Sequence, residues 1–175
     1  MSAGAQAVSV LIEDRLITLT RAVGLLRRRN YPVRSFAVGP TATPGLARLT
    51  IMLQSDPSTA ERAVQHLQKM IGVREASALP PGGAVAREVA LVKVRAPGPR
   101  YGELLDVLQL YRATVVDDTA DAVIVEVSGS EAFVLSGLRA LERFEILELA
   151  RSGPVALESG AGAASPTPNS EQTTP

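Results

Sequence analysis

Apolar residues along the chain recur with two periods, two and about 3.6, in an order that occurs twice. Residues 7–12 (AVSVLI) are a continuous apolar run closed by Glu13, Asp14 and Arg15, and read as a buried strand. Over residues 18–29, Leu19, Val23 and Leu26 recur at steps of four and three, which predicts a helix with these side chains on its inner face. Tyr31-Pro32 stops it, because proline disfavours helical geometry in the residue before it. Residues 33–38 (VRSFAV) are strand-like, and residues 41–45, with Pro44 and Gly45, are a loop. Residues 46–53 then alternate, with Leu49, Ile51 and Leu53 facing one way and Arg48 and Thr50 the other. Asp56 and Pro57 start a second helix, a capping carboxylate followed by proline at the first helical position. Ala60, Ala63, Val64, Leu67 and Ile71 mark its apolar stripe, Gly72 ends it, and residues 73–79 are a fourth strand.

Pro80, Pro81, Gly82 and Gly83 make a linker, after which the order repeats. Residues 88–95 (EVALVKVR) are a strand, and residues 101–111 carry Leu104, Leu105, Leu108 and Tyr111 at helical spacing. Residues 113–117 and 122–127 are two β-rich runs around the turn-forming residues 118–121. Residues 130–141 form a helix with Phe133, Leu138 and Leu141 among its apolar positions, and residues 144–150 (FEILELA) close the series. Both halves read β-α-β-β-α-β.

The fold class is therefore α+β, as two tandem ferredoxin-like βαββαβ units over residues 7–80 and 84–155. A unit of this size buries only about 60% of its unfolded surface. Helices on one face also leave the other face of each sheet bare. Both features favour pairing, between the halves or between two chains, and a dimer is expected. Residues 156–175 are rich in Gly, Ala, Ser, Pro and Thr without apolar periodicity, and are expected to form a disordered tail.

Composition narrows the function classes. Among 175 residues, Lys+Arg and Asp+Glu are both 18, so no global field attracts nucleic acid or an anionic membrane. Only 3% of residues are aromatic, which weakens any reading based on base or sugar stacking. The 46% of hydrophobic residues suffices for a packed core. With no cysteine there is no disulfide or thiol nucleophile, and a reducing compartment fits. No apolar run approaches the ~20 residues of a membrane-spanning helix. The first residues, MSAGAQA, do not read as a secretory signal, so a cytoplasmic location is expected.

Catalytic chemistry is sparse. His66, the one histidine, sits on a helix beside Arg62 and Lys69 and reads as a surface residue. Asp117, Asp118 and Asp121 could pair for acid/base work, but they fall where a hairpin turn needs aspartates. Residues 80–83 lack the Lys-Ser/Thr ending of a phosphate loop, and no metal-ligand cluster stands out. Arg27, Arg28 and Arg29, with Arg21 and Arg34 nearby, read as a solvated helix end favoured by the helix dipole, or as a docking surface for an acidic partner. A small anion would be received at residues 13–18, where a helix N-terminus presents backbone N–H groups.

These segments carry a family resemblance. Residues 11–41 read LIEDRLITLTRAVGLLRRRNYPVRSFAVGPT, similar to the ACT-domain opening of the acetohydroxyacid (acetolactate) synthase small regulatory subunit. The family pattern is L-x-E-N-x-x-G-x-L-x-R-x-x-G-L-F-x-x-R-G-Y-N-I-x-S-L-x-V. Glu13, Leu19, Arg21, Gly24, Leu25, Arg29, Tyr31, Ser35 and Val38 match it. LARLTI at 46–51, REVALVKV at 87–94 and ELARSG at 148–153 follow in family order. The resemblance implies a homodimer through the ACT domain, bound to a thiamine-diphosphate-dependent catalytic large subunit whose turnover it raises in branched-chain amino acid (valine, leucine, isoleucine) biosynthesis. It implies no cofactor here: thiamine diphosphate, Mg and FAD belong to the catalytic subunit. It also implies a valine-type effector at the ACT dimer interface, which on this chain falls on Asp14, Arg15, Leu16, Ile17, Thr18, Pro32 and Val33. Arg21, Arg27, Arg28 and Arg29 are the candidates for docking the partner.

Four departures fall at that effector site. Asp14 replaces the family's Asn after the Glu, Ile17 its loop Gly, Asn30 the Gly before the Tyr and Pro32 the Asn after the Tyr. Asp14 would set a negative charge near an incoming carboxylate. Ile17 is β-branched and resists the positive φ of glycine, and Pro32 has no N–H. Valine feedback is therefore expected to be weak or absent. Two other readings stay open: an amino-acid-sensing ACT regulator of another enzyme or of transcription, and a small enzyme on the same scaffold.

Overall fold

A computed structural model describes residues 4–95 and 98–160. The first half runs β1 (Ala5–Glu13), α1 (Leu16–Arg28), β2 (Val33–Pro40), β3 (Leu46–Gln54), α2 (Pro57–Gln68) and β4 (Val73–Leu79). The second runs β5 (Ala84–Arg95), a single 3₁₀ turn at Gly98–Arg100, α3 (Tyr101–Leu110), β6 (Thr114–Asp118), β7 (Ala122–Gly129), α4 (Glu131–Leu141), β8 (Ile146–Arg151) and β9 (Val155–Glu158). The sheet orders, β2-β3-β1-β4 and β6-β7-β5-β8, are the same topology twice, and all pairings are antiparallel.

Alternation decides which side of each sheet is buried. Val8, Val10 and Ile12 on β1 and Leu49, Ile51 and Leu53 on β3 meet Ala22 and Leu26 of α1 and Ala60, Ala63 and Leu67 of α2. Ala90, Val92 and Val94 on β5 and Val123, Val125 and Val127 on β7 meet Leu104 and Leu108 of α3 and Val134, Leu138 and Leu141 of α4. Small residues on α2 let that helix sit close to its sheet.

Three assignments from periodicity change, one of them Leu105 on α3, which is 46% exposed while Val107 is buried instead. Val23 faces outward, because Thr18, Ala22 and Leu26, spaced by four, hold the inner line of α1. Ile71 lies beyond the end of α2 and is 84% exposed, since the turn at Gly72 reverses the chain before it can reach the core.

The back of the first sheet is partly covered, and not by a helix. β5 is twelve residues long, and its two halves do different work. Its C-terminal half is the central strand of the second sheet, while Ala84–Arg87 pair with β9 as a two-stranded ribbon. Ala84, Ala86 and Ala156 of the ribbon pack on Ala5, Ala7, Met52 and Leu79 behind the first sheet. The second unit therefore runs to Glu158, and residues 156–158, expected to begin the tail, are strand. Residues 161–175, the rest of the expected tail, lie outside the described residues.

Asp56 caps α2 as its sequence position suggests, its carboxylate accepting from the Thr59 N–H at 2.7 Å and the Ser58 hydroxyl at 2.8 Å. The Thr59 amide above all, then Ser58, holds its pKa below the usual carboxylate value. A depressed carboxylate contributes stability above its unfolded pKa and loses it as pH falls through the folded one. We expect Asp56→Ala to lower the thermal midpoint at neutral pH, with the gap from wild type closing under acid. A gap that is constant across pH would mean the carboxylate charge plays no part.

Candidate functional site

The loop between β1 and α1 is anchored by backbone on both sides. Glu13 N–H donates to the Gly72 carbonyl and Asp14 N–H to the Gly45 carbonyl, both at 2.8 Å. Gly72 has φ +90°, and a Cβ there would lie 2.9 Å from the buried Thr18 side chain. Only glycine fits that contact. Glu13 also pairs with Arg74 at 2.8 Å, so β4 and β1 are joined at the loop's base.

Helix α1 begins at Leu16, two residues earlier than periodicity predicts, with Arg15 as its cap residue and no side-chain cap bond. Thr18 and Leu19 N–H groups both point back to the Arg15 carbonyl. Leu16 and Ile17 are strongly exposed at this open helix start. Ile17 is helical here, so the positive φ that glycine would permit is not adopted. Asn30 does adopt a positive φ, at +54°, where the family pattern has glycine.

The candidate effector residues are not brought together within one chain. Asp14, Arg15, Leu16, Ile17 and Thr18 lie at the N-terminal end of α1, whereas Pro32 and Val33 follow its C-terminal end. Thirteen helical residues span about 20 Å, too far for one small ligand to bridge.

Among the described residues no group of three or more His, Cys, Asp or Glu side chains could hold a metal ion. No helix among them is long and apolar enough to cross a membrane. His66 is half-buried rather than fully exposed, with Nδ1 2.7 Å from the Tyr31 hydroxyl, and ties α2 to the end of α1. Asp118 accepts from the Tyr101 hydroxyl at 2.7 Å. That bond raises the phenol's pKa and gives the hairpin carboxylate a structural task.

Each half matches a family model. Residues 8–75 match the AHAS small subunit-like ACT domain, and residues 87–160 match the small subunit of acetolactate synthase. The chain belongs to the acetolactate synthase small-subunit family. A probable acetolactate synthase small subunit of Methanothermobacter thermautotrophicus is 36% identical over 155 residues, 88% of this chain and 92% of that one. The acetolactate synthase small subunit of Mycolicibacterium smegmatis is 35% identical over 153 residues, 87% and 90% of the two chains. The crystal structure of the acetolactate synthase small subunit from Thermotoga maritima superposes with a TM-score of 0.82 at 29% identity, covering 88% and 96%.

A small subunit has a catalytic subunit as its partner, and the docking candidates can be located on this one. Arg27 and Arg28 lie in the last turn of α1, where the helix dipole favours positive charge, and Arg29 is its cap residue. Arg21 and Arg28 share one face and border a shallow hollow of about 350 Å³ with Leu25, Met70 and Ile71. None of Arg21, Arg27, Arg28 and Arg29 is in an ion pair among the described residues.

Sequence reasoning missed the charges between the two units. Arg34 of β2 pairs with Glu131 in the first turn of α4, and Arg151 of β8 pairs with Glu88 of β5. All four line one small cavity of about 180 Å³ with Ser35, Met52, Gly153 and Pro154. Glu88 was legible in one respect: in EVALVKVR it falls in phase with the inward-facing Ala90, Val92 and Val94. A carboxylate in a core phase needs a buried partner.

Proposed function

We propose that this small subunit binds the thiamine-diphosphate-dependent catalytic subunit and raises its turnover, in the cytoplasmic branch of metabolism that makes branched-chain amino acids. The observation that carries the reading is that both units, not the ACT unit alone, match small-subunit models. The catalytic step and its cofactors stay on the larger partner.

The topology supports a homodimer through β2. This strand is an edge of the first sheet, with Phe36 and Val38 partly exposed on it. A two-fold antiparallel pairing sets the start of one copy's β2 against the end of the other's. The end of β2 pairs with the start of β3, next to Gly45, whose carbonyl holds Asp14. Pro32 and Val33 of a second copy then arrive at the Asp14–Thr18 end of α1. The site that α1 divides within one chain is complete only in the pair.

A branched-chain amino acid, valine above all, is the effector class for that composite site, and its action is weak or absent. An amino-acid carboxylate would seek the open N–H groups at Leu16 and Ile17. Asp14 opposes it and has no ion pair among the described residues. Ile17 adds bulk over the same amides, and Pro32 has no N–H to offer.

Reconstitution with the cognate catalytic subunit tests both statements. Addition of the small subunit is expected to raise acetolactate formation severalfold, and valine to change it by less than about twofold, against the 5–150-fold of common allosteric couplings. The triple variant Asp14→Asn, Ile17→Gly, Pro32→Asn is expected to gain valine inhibition. Unchanged turnover on mixing would sink the regulatory reading. Strong inhibition of wild type at micromolar valine would sink the insensitivity.

A further inference from the structure

Behind the first sheet, where the β5–β9 ribbon stops short of β2, the fold leaves a groove of about 600 Å³. Its floor is Arg48 and Thr50 of β3, and one wall is Gly39 and Pro40 at the end of β2 with Thr41 and Ala42 after it. The other wall is the ribbon, including three consecutive residues of β9, Val155, Ala156 and Leu157. Val155 and Leu157 line it from the same ribbon face as their β5 partners Arg87 and Val85, with Ala156 between them. β9 pairs with β5 alone, so its second edge is unpaired among the described residues. Val85, Val155 and Leu157 beside it are each more than half exposed.

Two guanidinium groups border this apolar trough. Arg48 is half-buried, with Nη1 donating to Ser9 Oγ at 2.7 Å, and Arg87 Nη1 donates to the Ala86 carbonyl at 2.8 Å. Neither is in an ion pair among the described residues. A free strand edge, flanking apolar side chains and two unmatched cations are the complement of an extended segment carrying apolar and acidic residues.

We infer that this groove docks the catalytic subunit, through an extended apolar and acidic segment that adds alongside β9. The inference rests on the proposed regulatory function and names the surface that serves it. The homodimer proposed above pairs through β2 and not β9, and cross-links between small subunits would mark a second copy at the groove. The groove is open to solvent rather than enclosed, which suits a chain segment.

The chain contains no cysteine, so one introduced thiol is a unique label. Val155→Cys carrying a maleimide-benzophenone is expected, on illumination of the full complex, to cross-link to the catalytic subunit; the same label on Arg27→Cys is not. Leu157→Glu, and separately Arg48→Glu with Arg87→Glu, are expected to weaken binding to the catalytic subunit by about tenfold or more. Circular dichroism checks folding, and Leu157→Glu, at an exposed position, stands if the arginine pair fails to fold. Wild type that activates its partner while the groove variants bind normally overturns the docking site and leaves the function intact. Cross-links joining two small subunits, or a loss of binding in Arg27→Glu with Arg28→Glu and not in the groove variants, also overturn it. Wild type that neither binds nor activates overturns both.

Discussion

Replacing Arg151 with methionine is expected to cost the fold about 1–3 kcal/mol, the loss typical of leaving a buried polar group without its partner, since Glu88 is buried while Arg151 reaches solvent. Glu88 is 3% exposed, and its carboxylate takes its one charged contact from Arg151. It points to the helix side of the second sheet, in line with Ala90 and Val92, at the end of the core nearest the first unit. Without the guanidinium the buried carboxylate loses its ion-pair partner, and Arg34, which lines the same cavity, is already paired with Glu131. Removing both members, Glu88→Leu with Arg151→Met, is expected to return most of the loss, because an apolar pair of similar volume needs no desolvation offset. Denaturant titration of the two single variants and the double variant measures the coupling. A double variant as unstable as Arg151→Met would show that the loss comes from packing of the arginine stem, not from the charge.

The second large effect concerns assembly. Phe36→Glu with Val38→Glu is expected to raise the dimer dissociation constant at least about 100-fold, close to 3 kcal/mol. These side chains are 37% and 51% exposed on an edge strand, a combination that natural sheets blunt with charge unless the edge is used. Two-fold pairing brings the new carboxylates of the two copies together across the seam, so repulsion adds to the lost apolar contact. Analytical ultracentrifugation reads the change directly. A pair that stays dimeric would place the interface elsewhere, and the composite site of Asp14 with a second copy's Pro32 would go with it.

The regular parts of the fold were legible in the sequence because each element announces itself locally. Alternation in LARLTI, the Asp56-Pro57 cap and the proline stop at Tyr31-Pro32 all act within a few residues of one another. The inner face of α1 was less legible. Val23 and Ala22 are neighbours, and which of them is buried depends on how α1 lies across the sheet. A larger apolar side chain attracts the assignment, but close packing selected the smaller one.

The candidate effector site divides along the same line. Asp14, Ile17 and Pro32 stand out as departures from a family pattern without any coordinates. Their separation along α1 needs the helix length and the sheet order, and so does the proposal that a second copy completes the site. Glu88 and Arg151 lie 63 residues apart in sequence, and Arg34 and Glu131 lie 97 apart, with no local pattern to connect them.

By itself, then, the sequence determined two βαββαβ units, their core-facing strands and their family, because periodicity and capping are short-range properties of the chain. Only the tertiary structure decided that β5 spans both units and that β9 joins it as a ribbon. The same packing left a cationic groove beside β2. Those features arise where distant strands meet, and the free energy that selects them belongs to contacts that no window along the chain contains.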